Sequence, residues 1–289
     1  MNARELVDHI RSGPAKLVLD KPLPRFRRRT RSNPCDFNEF LQALQSSETI
    51  RSVDCKPHRT LNTSEDEWVL LLKTLGNIKD IHHLGFYSRP GSHDFRPFQA
   101  IADALKNARS LRTLALYLDS PEIPSDSSGL TALANALRER TVLREFTWVD
   151  SVSRLQTAPV DLSPDLLLRT LIACPHLRKV SITTQCASAG AMATLLQLPK
   201  DIDLTLALTN KEQWLVVADK IGQGRCNIGS LSLDMPQSSR SESTEAVKAI
   251  ASAIRLDHNL ERLELHILNS DFTDEAAVAL VEALAVNKT

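Results

Sequence analysis

The sequence has few aromatic residues, and its charges cancel. Aromatic side chains account for 4% of the 289 residues, whereas hydrophobic residues together account for 42%. A core of this composition consists mostly of aliphatic side chains and alanine, without a few large rings at its centre. The 35 basic residues equal the 35 acidic ones, so no global field attracts the chain to nucleic acid or to an anionic membrane.

The sequence also lacks segments that would direct it into or across a membrane. No apolar run approaches the ~18 residues of a membrane span, and the first ten residues contain no apolar segment of a secretory signal. The cysteines are odd in number (5) and none form Cys-x-x-Cys, which is typical of free thiols in a reducing compartment. We therefore predict a cytoplasmic protein with no membrane partner, and we expect Cys55 to be a small buried hydrophobic residue.

Motifs of the common enzyme classes are absent as well. The chain contains no Gly-x-Ser-x-Gly, no His-Glu-x-x-His and no phosphate-binding loop of the Walker type. Ser92, His93 and Asp94 are consecutive, and consecutive residues cannot form the nucleophile–base–orienter chain of a catalytic triad. The neighbours His82 and His83 are predicted to point to opposite faces of a strand, so they do not share a metal ion. We expect no catalytic activity, no cofactor and no metal site.

What the sequence does contain is a repeated pattern, best seen near its C-terminal end. The box Leu260-Glu-Arg-Leu263-Glu-Leu265 places Leu263 and Leu265 two residues apart, on one face of a short strand. Neither this strand nor the helix after it can bury its apolar face alone, so each must pack on the other and on a neighbouring copy. Helical spacing places the apolar residues of that helix on a single stripe, namely Ala276, Ala277, Leu280, Ala283 and Leu284.

Copies of this box recur along the whole chain. They begin at residues 14, 50, 81, 111, 143, 177, 201, 228 and 260, so successive copies start 24 to 36 residues apart. A period of roughly 20 to 50 residues is the signature of repeat architectures. Helices are predicted before the first box and after each box. They cover residues 1–13, 36–45, 64–75, 95–107, 128–138, 164–173, 188–196, 211–221, 243–255 and 274–285.

These boxes, with a full helix after each, resemble leucine-rich repeats of the ribonuclease-inhibitor type. The resemblance implies an α/β solenoid, or horseshoe, with parallel strands on the concave face and helices on the convex face. The chain departs from the family pattern where Asn or Cys normally follows the third apolar residue of the box. Only Asn269 lies near that place, so we expect the turns that leave the strands to be irregular.

The repeats predict one leucine-rich repeat domain over residues 1–289, with about nine repeats. Residues 1–49 form an N-terminal cap and a weak first repeat, and residues 50–289 form the main repeats. The chain stops at Thr289, where another strand would begin. Either the last helix is a cap, or the sequence is truncated at its C-terminal end.

One segment, residues 25–31, concentrates positive charge and reads Arg-Phe-Arg-Arg-Arg-Thr-Arg between prolines. We interpret it as a solvated loop. The alternative is a nuclear-localisation or phosphate-binding patch, which would place the protein in the nucleus. This basic loop is the one hint of a nucleic-acid partner, and we do not expect such a partner because the rest of the chain is neutral.

Two residues of each box, and the residue just after it, point away from the core. The two tyrosines of the chain, Tyr87 and Tyr117, occupy the same outward position in adjacent repeats, so they should lie one strand spacing, about 5 Å, apart. Tyrosine is enriched at binding hot spots, so we predict that the pair, flanked by His83 and Arg89, anchors a protein partner. The alternative is that a long loop folds back over both rings. Other outward residues predicted to contact the partner are Glu145, Lys179, Asp234, Arg262, Glu264 and His266.

The resemblance and the lack of catalytic motifs together predict a non-catalytic scaffold. It would bind another protein through the concave sheet and through the rim of loops that lead from strand to helix. A second hypothesis is a regulator of an enzyme, because similar repeats occur in GTPase-activating proteins and in substrate receptors of ubiquitin ligases. For the first of these, Arg89 and Arg154 lie on predicted rim loops. Similar degenerate repeats also occur in bacterial effectors that act in a host cell and in large algal families.

Overall fold

Strands and helices alternate along the chain. The computed structural model describes residues 3–19, 37–55, 65–88, 97–118, 127–140, 142–150, 165–184, 188–208, 210–235, 240–256, 260–267 and 273–286. The strands within these ranges are β1 (Lys16–Leu19), β2 (Ser52–Cys55), β3 (His83–Ser88), β4 (Thr113–Leu118), β5 (Glu145–Asp150), β6 (Lys179–Thr184), β7 (Asp203–Leu208), β8 (Ser230–Met235) and β9 (Arg262–Ile267).

Each strand has a helix before or after it. The helices within the same ranges are α1 (Ala3–Arg11), α2 (Phe37–Ser46), α3 (Glu65–Gly76), α4 (Pro97–Asn107), α5 (Ser127–Arg138), α6 (Asp165–Ile172), α7 (Ala189–Thr194), α8 (Lys211–Gly222), α9 (Arg240–Leu256) and α10 (Asp274–Val286). A short 3-10 helix, Leu195–Gln197, follows α7.

The nine strands form one parallel sheet in the order of the sequence, from β1 to β9. Their register pairs box position with box position, as when Val53 lies beside Leu84 and Leu84 beside Leu114. Parallel neighbours need a crossover between them, and the helices supply it. The predicted α/β fold of parallel strands alternating with helices is therefore confirmed.

The chain divides into two compact units, residues 1–145 and 146–289. In the first unit the apolar box residues lie in the core, and Leu84 and Leu114 are buried. Trp68 of α3 packs edge-on against Phe86 of β3, with ring centroids 6.0 Å apart. Helices α3 and α4 approach closely at Gly76, where an added Cβ would lie 2.5 Å from the carbonyl oxygen of Ala104. This close approach requires glycine at the end of α3.

In the second unit the same positions are buried in β6, β7 and β8, Leu204 and Leu231 among them, whereas Leu263 and Leu265 of β9 are only partly buried. Trp148 is fully buried, and the indole Nε1 of Trp214 donates a hydrogen bond to the Leu208 carbonyl at 2.9 Å. The side chain of Asn210 caps α8 by accepting from the Gln213 amide at 2.9 Å. Trp68, Trp148 and Trp214 were all expected in the core, and this expectation is confirmed, as is the burial of Cys55.

Three details differ from the sequence-based predictions. Helix α9 begins at Arg240 and not near Ser243, which is buried inside the helix. Polar residues continue a helix at little cost, so they do not mark its start. The helix predicted over 188–196 ends at Thr194 and tightens into the 3-10 turn. Leu284, expected on the core stripe of α10, is 56% exposed, because the described residues place nothing over that side of the helix.

Candidate partner-binding site

The two tyrosines lie side by side on the face of the sheet opposite the buried box residues. Tyr87 of β3 is paired in register with Tyr117 of β4. Their rings stack with centroids 4.1 Å apart and planes inclined by 4°. In-register parallel strands hold equivalent residues one strand spacing apart, so the backbone itself sets the stack. The predicted spacing of about 5 Å agrees with this arrangement, and both side chains are only partly buried.

The residues beside the tyrosine pair are small. Gly85 and Ala115 are the in-register pair two positions before the tyrosines, and both are buried although they point to the outward face. Asp54 of β2 is the register partner of Gly85 on the other side. A methyl group added to Gly85 would collide with the Asp54 carboxylate. Gly85 therefore provides the space that the Asp54 side chain occupies.

Asp54 is the centre of a charged network that crosses three strands. Its carboxylate lies 3.2 Å from Lys16 Nζ of β1 and 3.0 Å from His83 Nε2 of β3. The Asp54 side chain is only 13% exposed, whereas that of Lys16 is 62% exposed. Burial raises the pKa of Asp54, but the hydrogen bonds and charges of His83 and Lys16 outweigh it and hold the pKa below its ordinary value. Asp54 is thus a carboxylate at neutral pH, fixed from both sides.

The tyrosine hydroxyl next to this network stays protonated. Burial first, and then the neighbouring Tyr117 and Asp54, raise the pKa of Tyr87 to about 12. At neutral pH Tyr87 is therefore an uncharged phenol that can both donate and accept a hydrogen bond. The pair presents two stacked rings with polar ends beside a fixed carboxylate, which is an arrangement suited to binding and not to proton transfer near pH 7.

In the second unit the predicted residues form a separate group on β9 and β8. Arg262 and Glu264 of β9 form an ion pair, with Arg262 Nε donating to Glu264 Oε1 at 3.0 Å. His266 Nε2 lies 3.6 Å from Glu264 Oε2, and Asp234 of β8 is the register partner of His266. The hydrogen bond from Arg262 lowers the pKa of Glu264. Arg262 and His266 are exposed and Glu264 and Asp234 are partly exposed, so solvent screens their charges.

The remaining predicted residues stand apart or outside the described ranges. Glu145, the first residue of β5, is exposed. Lys179 of β6 is also exposed and lies in register with Asp203 of β7. Arg89, Arg154 and the basic loop at residues 25–31 lie outside the described residues. So do residues 89–96 and 119–126, which include the loops that were considered as covers for the tyrosines.

Sequence reasoning did not identify Lys16 and Asp54 as site residues. Asp54 was predicted to be one of the outward residues of its box. Nothing in the sequence of this four-residue strand indicates that its carboxylate pairs with residues of both neighbouring strands. The pairing register of neighbouring strands was the signal that could have identified this network. Gly85 is the residue without a side chain between Asp54 and Ala115, and His83, at the third position of the box that begins at residue 81, is in register with Ser52.

The described residues form neither a metal site nor a membrane-spanning helix. No group of three or more His, Cys, Asp or Glu side chains within these ranges is arranged to hold a metal ion. Within the same ranges no helix has both the length and the apolarity to cross a bilayer. Cys55, Cys174 and Cys226 are free thiols and are buried.

Comparisons with known proteins do not identify a family for this chain. No protein-family model matches the chain, and no curated protein matches it significantly. Among solved structures, one similar chain is a protein from Bacteroides fragilis that was determined as a structural-genomics target. It has 10% sequence identity to this chain and a TM-score of 0.45, over 84% of this chain and 67% of that one.

Proposed function

We propose that this chain is a non-catalytic scaffold that binds another protein on the outward face of its sheet, with Tyr87 and Tyr117 as the anchor. We further propose that its repeats are leucine-rich repeats of the ribonuclease-inhibitor type. The second proposal is supported by the buried apolar positions of the boxes from β2 to β8 and by the helix that follows each strand. The first is supported above all by the tyrosine stack, whose rings are 4.1 Å apart.

A pre-formed aromatic pair is well suited to binding a protein. Tyrosine offers a large contact area for the loss of only two rotatable bonds, and here the in-register strands and the stack restrict those bonds before any partner arrives. The surrounding outward residues are small, including Gly85, Ala115 and Thr113. A partner's backbone can therefore approach the sheet closely beside the rings.

The Asp54 network places charged groups beside the tyrosine pair. Its carboxylate is held by Lys16 and His83, and it lies close enough to Tyr87 to raise the pKa of that hydroxyl. Because Lys16 and His83 already hold the Asp54 carboxylate, the open binding surface is the outer faces of the tyrosine rings. An aromatic ring face attracts a cation, so a basic side chain of the partner can contact the pair there. We propose an exposed Arg or Lys of the partner as the group that meets the tyrosine pair.

The test is affinity purification with mass spectrometry, using the chain as bait in lysate of the organism that encodes it. The variant carries Tyr87→Ala and Tyr117→Ala together, and a matched control carries Thr205→Ala and Ser232→Ala on the outward positions of β7 and β8. Loss of two hot-spot side chains should weaken a partner's binding by about 30-fold or more, so it should disappear from the variant's eluate and remain with the control.

A partner recovered equally with the tyrosine variant would contradict the assignment of the site. Circular dichroism of the variant separates lost binding from lost folding. The tyrosines are outward and partly exposed, so the helical signal should be unchanged. The Tyr→Phe pair, which keeps both rings, should retain most of the binding if stacking area carries it.

The alternative, a regulator of an enzyme such as a GTPase-activating protein or a ubiquitin-ligase substrate receptor, stays a second hypothesis. A GTPase activator needs a polar residue placed at the rim to act on the transition state. The arginines that the sequence offers for that role, Arg89 and Arg154, lie outside the described ranges. GTP hydrolysis by a recovered GTPase, measured with and without this chain, distinguishes the two hypotheses.

A further inference from the structure

The edge of the second unit formed by β9 and α10 exposes an apolar face. Val281 is 67% exposed and Leu284 is 56% exposed. Helical spacing places them on one stripe with Ala277 and Leu280, at positions i, i+3, i+4 and i+7. The strand beside this helix shows the same feature, since Leu263 and Leu265 are only partly buried where their register partners Leu231 and Leu233 are fully buried.

The opposite side of α10 is already occupied by α9. Glu275 lies 2.7 Å from Lys248, and Glu282 lies 2.8 Å from Arg255. These two exposed pairs identify the side of α10 that faces α9. The stripe that includes Val281 therefore points away from α9, and it carries no charged residue. Two such stripes could meet without like-charge repulsion.

Strand β9 is the last in the order of the sheet, so no described strand lies beyond it. Its free edge is a template for pairing with another strand. The outward side chains of β9 alternate in charge, with Arg262 followed by Glu264. If a second β9 lies antiparallel with Leu263 opposite Leu263, then Arg262 of each copy lies opposite Glu264 of the other. A register shifted by two residues would place Glu264 opposite itself.

From these observations we propose that the protein forms a two-fold symmetric homodimer through β9 and α10. The two edge strands pair antiparallel, the two α10 helices pack through their apolar stripes, and Arg262 and Glu264 form reciprocal ion pairs. The contact is isologous, so it closes at two copies. The proposal is independent of the tyrosine site, because it uses a different surface.

The first repeat offers a poorer surface for the β9–α10 edge. Helix α1 exposes the charged residues Arg4, Asp8 and Arg11. A head-to-tail stack of copies would bury those charges against the apolar stripe, which costs free energy. The self-complementary arrangement avoids that cost, so a second β9–α10 edge is the favoured occupant.

The lengths of β9 and α10 set the area that the proposed dimer interface buries. Six strand residues and thirteen helix residues each span about 20 Å. Two such faces bury on the order of 1,000 Å² in total, which is at the low end for specific complexes. Interfaces of this size are typical of weak or transient complexes, so we expect dissociation constants in the micromolar range or above.

Sedimentation equilibrium of the purified chain, at concentrations from about 1 to 300 µM, tests the proposal over the range of the expected constant. The wild-type chain should pass from monomer to dimer and stop there. Val281→Asp should weaken the dimer at least tenfold, whereas the control Val69→Asp, an exposed valine (41%) on α3, should leave it unchanged. Neither variant should alter the circular dichroism of the monomer.

Charge reversal tests the register. Arg262→Glu alone and Glu264→Arg alone should each weaken the dimer, and the two together should restore it. A chain that stays monomeric at the highest concentration would overturn the proposal. So would assemblies that grow beyond two copies, a Val281→Asp variant that dimerises like the parent, or a double charge reversal that fails to restore pairing.

Discussion

The helices of the first and last described repeats differ in the polarity of their exposed surfaces. Helix α1 buries Leu6, Val7 and Ile10 completely and turns charged residues to solvent. Helix α10 has only Ala276 and Ala283 among its buried residues, and it turns valines and leucines to solvent. The first described repeat therefore has a polar outer surface, whereas the last has an apolar one.

The difference lies in the residues between the core positions. In α1 they are Arg4, Glu5, Asp8 and Arg11, and Arg4 and Arg11 both reach Glu39 of α2. In α10 they include Val278, Val281 and Leu284. The comparison teaches that the residues of a single helical stripe decide whether the outer surface of such a repeat is polar or apolar.

The largest expected difference in the free energy of unfolding comes from introducing an aspartate into each of these two helices. Leu6→Asp on α1 buries an unpaired carboxylate, so it should lower the free energy of unfolding by at least about 3 kcal/mol. Val281→Asp on α10 places the carboxylate in solvent and should change the free energy by no more than about 0.5 kcal/mol. Urea unfolding followed by circular dichroism measures both, at protein concentrations too low for association.

Equal losses of stability in the two variants would contradict the comparison, because they would mean that Val281 is as deeply packed as Leu6. A neutral Leu6→Asp would mean that α1 does not cover the first strand. The conservative Leu6→Met change is the control for volume, and it should cost less than about 1.5 kcal/mol.

Removing a carboxylate near either end should have a smaller effect on stability. Asp54→Asn, near the first strand, removes a covered carboxylate bound by Lys16 and His83, so it should lower the stability at pH 7 by about 1–3 kcal/mol. Glu264→Gln, on the last strand, removes an exposed partner of Arg262 and should leave stability unchanged. Thermal or urea unfolding at several pH values measures both.

The pH dependence gives the sign of the Asp54 effect. The pKa of Asp54 is lower in the folded chain than its ordinary value of 3.8. The folded state therefore binds the proton less readily than the unfolded state, and stability is gained above the ordinary pKa and lost as the pH falls through the folded one. Asp54→Asn should flatten this acid loss. An unchanged acid profile would mean that the Lys16–Asp54–His83 network does not stabilise the fold.

The sequence predicted the sheet well, because its pattern repeats. A period of two within each box and a period near thirty between boxes determine which residues are buried and which strands are neighbours. The tyrosine pair followed from the same rule, since Tyr87 and Tyr117 occupy equivalent places in successive boxes. Positions that recur in each repeat are predictable without coordinates.

What the sequence did not predict depends on side chains that meet across strands or on the presence of a neighbour. The Asp54 network requires Gly85 to leave space, and a pattern of apolar residues contains no information about that space. Periodicity identified a stripe on α10 but could not tell whether anything covers Leu284. The outward positions of β3 and β7 also differ from the simple rule, because Gly85 and Ala207 are small enough to be buried by their neighbours.

Hydrogen–deuterium exchange on the chain with and without the recovered protein partner tests the central claim most directly. We predict that amides of residues 83–88 and 113–118, which carry the tyrosine pair, exchange more slowly in the complex, while those of residues 203–208 and 230–235 do not change. Slower exchange on β7 and β8, with no change on β3 and β4, would contradict the assignment of the tyrosine pair as the binding site.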